Sequence, residues 1–475
     1  EFRNPERTQA LELLKPSRTD SLPLSMKLTE EGRYQLKTRR YKVVESGVDR
    51  VVFATLLENG IQITKDISLQ SGKYYFDVAI TLQNTTDSEI LASYSITVAN
   101  GLYPEIDKIT GLASIAGIDV GKGKTKIAHT DVKDMPYKNE SVGITMAGAT
   151  NKYFAAVLKP SVNNRIAAVT SESVKNPDPF YEDDFIVDLH AKRVSILPHG
   201  ERRHDYVFFL GPKNNEALTQ CDGLLAISDY DFGMTRSICK ILVKILNMFY
   251  GVIPNYGVSI LLLTFLVKLV LFPLTRKSQM SMVRMQQLQP LIAQLKEKHK
   301  GDKQKVGQEQ MKLFKQHGVN PMSGCFPILL QLPVFFALFR TLQNSFEMRQ
   351  APFVSWVTDL SEPDKLLQLP FTIPFLGEWL NILPLIMGAA SFVQMKLTPK
   401  TTGDDPQARM QQKMMQMMPL IFPVILYTFP SGLTLYWTTS TLISIGEQIL
   451  IRRSVKKLDI YYKGKRVIDA KAKVK

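Results

Sequence analysis

The residues Ser259-Ile-Leu-Leu-Leu-Thr-Phe-Leu-Val-Lys-Leu-Val-Leu-Phe-Pro-Leu-Thr275 form an apolar run with one cation, Lys268, near its middle. With its neighbours, this run reaches the roughly 20 residues that a helix needs to cross a bilayer. A lysine at the centre of a span costs roughly 2.5 to 3.5 kcal/mol, and such a residue usually faces a bundle interior or a watery cavity. Lys268 is therefore a candidate functional residue, unless its stem carries the charge to an interface near Arg276.

The two halves of the 475-residue chain differ in pattern, although 45% of all residues are hydrophobic. Up to about Gly223 the sequence is polar and alternating, whereas from about Tyr256 it carries long apolar runs. This contrast predicts a soluble domain joined to a membrane domain. The net charge of +15 is concentrated beside the apolar runs, which favours cytoplasmic loops or an acidic membrane surface over nucleic acid as its explanation.

The first half contains many short alternating segments separated by Gly, Asn, Asp and Pro. They predict a large antiparallel β-sandwich over residues 1–225. The clearest segments are 34–44, 60–69, 73–82, 90–98 and 206–210, with Ser71-Gly72 as the turn of a hairpin.

The second half predicts a membrane α-helical bundle with five transmembrane helices, preceded by an amphipathic interfacial helix within 226–252. The predicted spans are 255–275, 320–344, 378–395, 412–429 and 433–451, so that the membrane core occupies 253–451. Residues 276–318 predict a cytoplasmic helical hairpin made of helices 278–299 and 302–317. Residues 452–475 form a basic tail.

Loop charge predicts the orientation of the chain. The loop 276–318 and the tail are strongly basic, whereas the loop between the second and third spans is acidic. The positive-inside rule therefore predicts the β-domain outside the membrane and the C-terminus in the cytoplasm. Five crossings agree with this arrangement.

Motifs for catalysis, metal binding or cofactor binding are absent, so we expect neither an enzyme nor a cofactor. Gly121-Lys-Gly-Lys-Thr125 lacks the first glycine of a phosphate-binding loop and is predicted to be a basic turn between strands. Cys221, Cys239 and Cys325 are widely spaced and predicted to be inert. The chain begins at Glu1 without a signal-like segment, so we expect a trimmed or processed product in which any N-terminal anchor is missing from the sequence.

Methionines give the first hairpin helix a soft apolar face, formed by Met280, Met282 and Met285. A face of this kind suits variable partners, but methionine is more often used in core packing. Both readings stay open at the level of the sequence.

Several segments of the second half together resemble the YidC/Oxa/Alb family of membrane protein insertases. They lie in the same order and at the same spacing as in the family. These segments are Thr264-Phe-Leu-Val-Lys-Leu-Val-Leu-Phe-Pro-Leu-Thr275, Leu288-Gln-Pro290, Val319-Asn-Pro-Met-Ser-Gly-Cys-Phe-Pro327, Gln331-Leu-Pro-Val-Phe335, Arg349-Gln-Ala-Pro-Phe353 and Phe429-Pro-Ser-Gly-Leu-Thr-Leu-Tyr-Trp437. The β-domain is similar to the periplasmic domain of the Gram-negative branch.

The resemblance implies a membrane protein insertase and chaperone of the bacterial inner membrane, working alone or with the Sec translocon. In this family the spans surround a polar groove that opens to the cytoplasm and to lipid and carries one positive charge. Lys268 matches that position, where the family usually has arginine. Lysine keeps the charge but loses the planar fork, which puts two-point carboxylate binding in doubt.

The resemblance also implies further groove residues. Thr264 lies one helical turn from Lys268, and Leu332 and Phe335 match positions that touch the incoming helix. Trp437 matches a substrate-contacting aromatic residue, and Thr438 adds polar lining.

The implied partners are nascent membrane proteins, membrane lipid, the Sec translocon and the ribosome, with no small-molecule substrate. The basic tail, including Arg452, Arg453, Lys456 and Lys457, suits the electrostatics of ribosomal RNA and would recruit the ribosome, together with the methionine face of the hairpin. Two alternatives stay open. A channel or transporter could also hold a lysine in the membrane, and an envelope anchor could bind its ligand through the β-domain.

Overall fold

The computed structural model divides the chain into two compact units, residues 1–233 with 344–346 and residues 234–343 with 347–475. The first unit is rich in strands and the second in helices. The structure describes residues 23–29, 41–100, 102, 113–121, 124–131, 134–161, 166–174, 184–232, 235–299, 302–319, 326–374, 376–397, 417, 421–454, 461–462 and 465–466.

The described part of the first unit consists of strands followed by two short helices. The strands are β1 Met26–Thr29, β2 Lys42–Ser46, β3 Arg50–Leu56, β4 Ile61–Leu69, β5 Tyr75–Asn84, β6 Ile90–Asn100, β7 Ala113–Asp119, β8 Thr125–Asp131, β9 Tyr137–Asn139, β10 Ile144–Thr150, β11 Phe154–Pro160, β12 Ile166–Val174, β13 Asp184–Ala191, β14 Val194–Ile196 and β15 Glu201–Pro212. The helices are α1 Asn215–Leu218 and α2 Leu225–Phe232.

These strands form two antiparallel sheets. One sheet has the order β1-β6-β13-β12-β9, with β14 also paired to β6, and the other has the order β2-β3-β4-β5-β15-β11-β10-β7-β8. Their facing side chains share one core, in which Ile96 and Leu189 of the first sheet lie with Ile63 and Val78 of the second. The chain therefore folds as the large antiparallel β-domain that the sequence predicts.

Two turns between strands lie where the sequence predicts them. The predicted hairpin is confirmed as the pair β4 and β5, and Gly72 in its turn has a φ of 74°. The basic turn is also confirmed, because Gly121, with a φ of 85°, lies between the paired strands β7 and β8. Both positions use the left-handed conformation that glycine adopts without a steric penalty. Residues 34–40 of the first predicted strand lie outside the described residues.

The second unit is mainly helical in its described part. Its helices are α3 Arg236–Val252, α4 Tyr256–Gln287, α5 Gln289–Lys298, α6 Lys303–Gln316, α7 Phe326–Asn344, α8 Leu383–Leu397 and α9 Ser431–Ser454, with a helical piece at 421–425 and a 3₁₀ turn at Phe346–Met348. Two small antiparallel ribbons pair β16 Leu367–Ile373 with β17 Gly377–Leu380, and β18 Tyr461–Tyr462 with β19 Lys465–Arg466.

Among the described residues, Tyr256–Gln287 is the helix that is long and apolar enough to cross a membrane. Leu383–Leu397 is apolar but shorter. The predicted span 412–429 is described at residues 417 and 421–429, where a helical piece at 421–425 is followed by a turn at 426–428. Its other residues, and residues 320–325 of the second predicted span, lie outside the described residues. The predicted span 433–451 lies within α9.

The first predicted span ends in the wrong place. Instead of stopping at residue 275, α4 continues to Gln287 and includes the start of the predicted hairpin helix. Pro273 does not break the helix, and the hydroxyl of Thr275 donates to the carbonyl oxygens of Leu271 and Phe272. The break comes before Pro290, which lies in the first turn of α5, where a missing N–H does no harm.

The start of the third predicted span is also wrong, because Gly377–Leu380 is a strand and the helix begins at Leu383. The carboxylate of Asp364 accepts hydrogen bonds from the backbone N–H groups of Ile382 and Leu383, at 2.8 and 2.9 Å. A carboxylate at this end of a helix satisfies donors that have no partner within the helix. Asp364 therefore determines where α8 begins.

The thiols of Cys221 and Cys239 are free and buried, and Cys325 lies outside the described residues. Burial raises the pKa of Cys221 to about 11. A thiol with a raised pKa is a weak nucleophile at neutral pH, in keeping with the inert role expected for it.

An unusual buried cation lies in the β-domain. Lys65 on β4 is 7% exposed, and its Nζ donates to the carbonyl oxygen of Leu24 at 2.7 Å. The same ammonium lies 4.3 Å from the centre of the Tyr41 ring. Burial lowers the pKa of Lys65 to about 8 and raises that of Tyr41 to about 12.

The lowered pKa of Lys65 predicts a pH dependence of stability. Between about pH 8 and the ordinary lysine pKa near 10.4, the unfolded chain binds a proton that the folded chain does not, so stability rises with pH in this window. As the pH rises from 8 to above 10, the free energy of unfolding of wild type should therefore increase by about 3 kcal/mol relative to that of Lys65→Met, which lacks the titrating group. Urea denaturation followed by circular dichroism at matched pH values measures this difference.

The matched control is Lys42→Met, which removes an exposed lysine from β2 of the same sheet. If both variants show the same pH dependence relative to wild type, the environment assigned to Lys65 is wrong.

Candidate functional site

Lys268, the cation within the apolar run, has a specific partner. Lys268 lies on α4 and is partly buried, and its Nζ donates a hydrogen bond to the Oγ of Ser444 on α9 at 2.7 Å. The helices α4 and α9 pack against each other in this region. The ammonium therefore points toward a neighbouring helix, as expected for an ionisable residue in a span.

A carboxylate lies beside this contact. Glu447 follows Ser444 by three residues, so the two side chains share a face of α9. Glu447 is 9% exposed and interacts electrostatically with Lys268. Glu447 is not among the predicted site residues, although an acidic residue inside a predicted span is a signal that the sequence offers.

The threonines implied by the resemblance are buried close to the same helices. Thr264 lies one turn before Lys268, and its hydroxyl donates to the carbonyl oxygen of Ile260 at 2.6 Å. The hydroxyl of Thr438 donates in the same way to the carbonyl oxygen of Thr434 at 2.7 Å. Both hydroxyls are thus satisfied within their own helices, and they contribute polarity without linking one helix to another.

The serines of α9 connect helices instead. The Nε2 of Gln331 on α7 donates to the Oγ of Ser440 at 3.0 Å, one turn before Ser444. Together, Lys268, Gln331, Ser440, Ser444 and Glu447 form what we call the polar seam. It joins α4, α7 and α9 through side chains that point between the helices.

An aromatic cluster lies next to the seam on α7 and α9. The rings of Phe335 and Trp437 meet edge to face, with centroids 5.1 Å apart, and Trp437 also contacts Phe422 at 5.0 Å. Leu332 and Phe336 are 38% and 52% exposed. The structure therefore brings Phe335 and Trp437 together and leaves Leu332 open to its surroundings.

The start of α9 is held by the loop that follows α7. The backbone N–H groups of Ser431 and Gly432 donate to the carbonyl oxygens of Glu362 and Leu360, at 2.6 and 3.0 Å. The hydroxyl of Ser431 donates to the carbonyl oxygen of Asp359 at 2.8 Å. Burial raises the pKa of Asp359, while hydrogen bonds to its carboxylate act in the opposite direction.

The three hairpin methionines do not share one environment. Met280 and Met282 are half-buried on α4, whereas Met285 is buried. Met285 belongs to a cluster that we call the hairpin core, which consists of Met285, Leu288, Leu291, Ile292, Leu295, Leu313, Phe314 and Val319. In this conformation Met285 has no face available to a partner, and core packing explains it.

The basic residues proposed for recruitment are only partly described. Arg452 and Arg453 are exposed in the last turn of α9, where cations complement the helix dipole. Lys456 and Lys457 lie outside the described residues.

Comparison with protein families divides the chain in the same way as its sequence pattern. Residues 3–245 match the family described as the YidC periplasmic domain, and residues 248–458 match the family described as 60Kd inner membrane protein. The two matches together cover almost the whole chain.

Curated relatives carry the name membrane protein insertase YidC. The protein of Syntrophobacter fumaroxidans is 32% identical over 91% of this chain and 77% of its own length. That of Pelobacter propionicus is 40% identical over 65% of this chain and 54% of its own length. A crystal structure of an active YidC insertase aligns over 89% of this chain and 82% of that chain, with 21% identity and a TM-score of 0.38, and this likeness adds nothing to the assignment.

The burial of Met285 predicts that the hairpin depends on it. Met285→Ala should lower the local free energy of unfolding of α5 by about 2–5 kcal/mol, because it leaves a cavity in the hairpin core. Hydrogen exchange of the amides of Gln289–Lys298, followed by mass spectrometry, measures the change. Met280→Ala, at a half-buried position of α4, is the matched control and should have a smaller effect. Equal exchange in wild type and Met285→Ala would contradict the packing described.

Proposed function

Because this chain belongs to the YidC family of membrane protein insertases, we propose that it inserts client proteins into the inner membrane through a polar groove whose positive charge is Lys268. The observation that carries this proposal is the hydrogen bond between Lys268 and Ser444. It directs the ammonium toward α9. The curated relatives are named for insertion, and their names describe no catalysed reaction.

The polar seam lowers the free energy of a polar segment inside the bilayer. An unpaired charge or amide in hydrocarbon is costly, and hydroxyl, amide and ammonium groups along α4, α7 and α9 provide partners. A groove of this kind shortens the distance that a hydrophilic tail crosses without water. Lys268 adds attraction for acidic residues of a client tail.

The apolar part of the client would leave by the aromatic side of the site. Leu332 is exposed, and Phe335 lies beside it on α7 next to Trp437. A client helix that meets these side chains can move out to lipid, and burial of its apolar groups drives the step at about 0.8 kcal/mol per CH₂. Thr264 and Thr438 line the buried end of this path in the proposal.

Lysine in place of the family's usual arginine changes how an acidic residue is bound. An ammonium attracts a carboxylate as a point charge, whereas a guanidinium can bind it with two parallel hydrogen bonds. The proposed mechanism needs the positive charge at position 268 and does not need the two parallel hydrogen bonds of a guanidinium. Lys268→Arg should therefore keep insertion activity.

In the proposed mechanism, clients are recruited at the cytoplasmic surface of the protein. The loop charges favour a β-domain in the periplasm and a C-terminus in the cytoplasm. Arg452 and Arg453 are exposed and would begin a basic surface for the ribosome, which Lys456 and Lys457 would extend. Met280 and Met282 keep part of their surface free for a partner, and cooperation with the Sec translocon is proposed from the family.

A test of this function uses purified chain in proteoliposomes and a single-span client with an acidic N-terminal tail. Lys268→Glu should reduce the translocated fraction at least about tenfold, because like charges across the groove repel. Protease protection of the tail measures translocation. Lys126→Glu makes the same charge change at an exposed position of β8 and serves as the control. Equal insertion by wild type and Lys268→Glu would show that the charge is dispensable.

A further inference from the structure

Glu447 has no role in the insertion mechanism described so far, yet it lies within the polar seam. It is 9% exposed and stands three residues after Ser444, the hydrogen-bond partner of Lys268. Because residues three apart on a helix are neighbours, the hydrogen bond from Lys268 to Ser444 brings the ammonium close to Glu447. A buried carboxylate within a predicted span is costly, and such residues mark function or pair with an opposite charge.

The two charges change the character of the site. With Lys268 alone, a client carboxylate would meet an unopposed cation. With Glu447 nearby, the pair has a net charge of zero, and the ammonium is already partly neutralised by a group of the same chain. A client carboxylate then has to compete with Glu447 for Lys268, since attraction to one charge is opposed by repulsion from the other.

We propose that Glu447 is the internal counter-ion of Lys268 and a specificity-determining residue, which sets how strongly the site prefers acidic client tails. This inference rests on the proposed insertase function. The chemical class that it discriminates is the charge of the client's translocated tail: Glu447 weakens selection for acidic tails and permits neutral and basic ones.

The competing explanation is that Glu447 only stabilises the contact between α4 and α9. The two explanations differ in one observable. A structural residue alters insertion of every client alike, whereas a counter-ion alters the ratio between clients of opposite tail charge. Removing the charge of Glu447 and removing the charge of Lys268 should shift that ratio in opposite directions.

The experiment uses the full chain in proteoliposomes with three single-span clients, whose tails carry two aspartates, two asparagines or two lysines. The measured quantity is the ratio of translocated aspartate-tail client to lysine-tail client. Glu447→Gln should raise this ratio roughly fivefold over wild type, because it leaves Lys268 unopposed. Lys268→Gln should lower it by a similar factor, and the double variant should lie between the two.

Two further variants are controls for misfolding and for nonspecific effects of the substitution. Glu447→Asp keeps the charge and should leave the ratio near that of wild type. Glu378→Gln removes an exposed carboxylate from β17 by the same chemical change and should have no effect.

The outcomes separate the two proposals. If wild type inserts the clients and Glu447→Gln leaves the ratio unchanged while Lys268→Gln shifts it, Glu447 is not a counter-ion and this inference is wrong. If wild type inserts none of the three clients, the proposed function fails and the inference fails with it.

Discussion

The ammonium of Lys268 imposes the main physical constraint on the helical unit. It sits within an apolar helix, so its charge and its donors need partners from neighbouring helices. Ser444 accepts a hydrogen bond from it, and Glu447 adds an opposite charge. This requirement explains why α9, although it carries many apolar residues, places Ser444 and Glu447 on the side that meets Lys268 of α4.

The loop that follows α7 makes this meeting possible. Hydrogen bonds from Ser431 and Gly432 to the loop hold the first turn of α9, and Asp364 holds the first turn of α8. Since a helix rises by about 1.5 Å per residue, fixing its start also fixes the level of every later side chain. Ser444, thirteen residues after Ser431, is thereby brought level with Lys268. The loop thus positions the site without contributing a side chain to it.

The sequence was most informative where local chemistry decides the structure. Alternation and turn glycines such as Gly72 predicted the strands of the β-domain, because strand faces and positive φ angles leave a direct trace in residue type. Helix ends were predicted less well: α4 runs through Thr275 because nothing local stops it, and α8 starts at Leu383 because Asp364, distant in sequence, caps it. Lys268 stood out as a charge in an apolar run. Its partner Ser444 could not be found from local pattern, since the register between two helices depends on tertiary packing.

In the proposed mechanism, the face of α4 that carries Lys268 meets the client's acidic tail. Leu271 lies on that face, three residues on, whereas Val270 lies on the opposite face and is 65% exposed. The most direct measurement is disulfide formation between a cysteine beside the acidic residues of a stalled client tail and a cysteine at either position. We predict crosslinking to Leu271→Cys and little to Val270→Cys. Equal crosslinking to both, or crosslinking to Val270→Cys alone, would contradict the account.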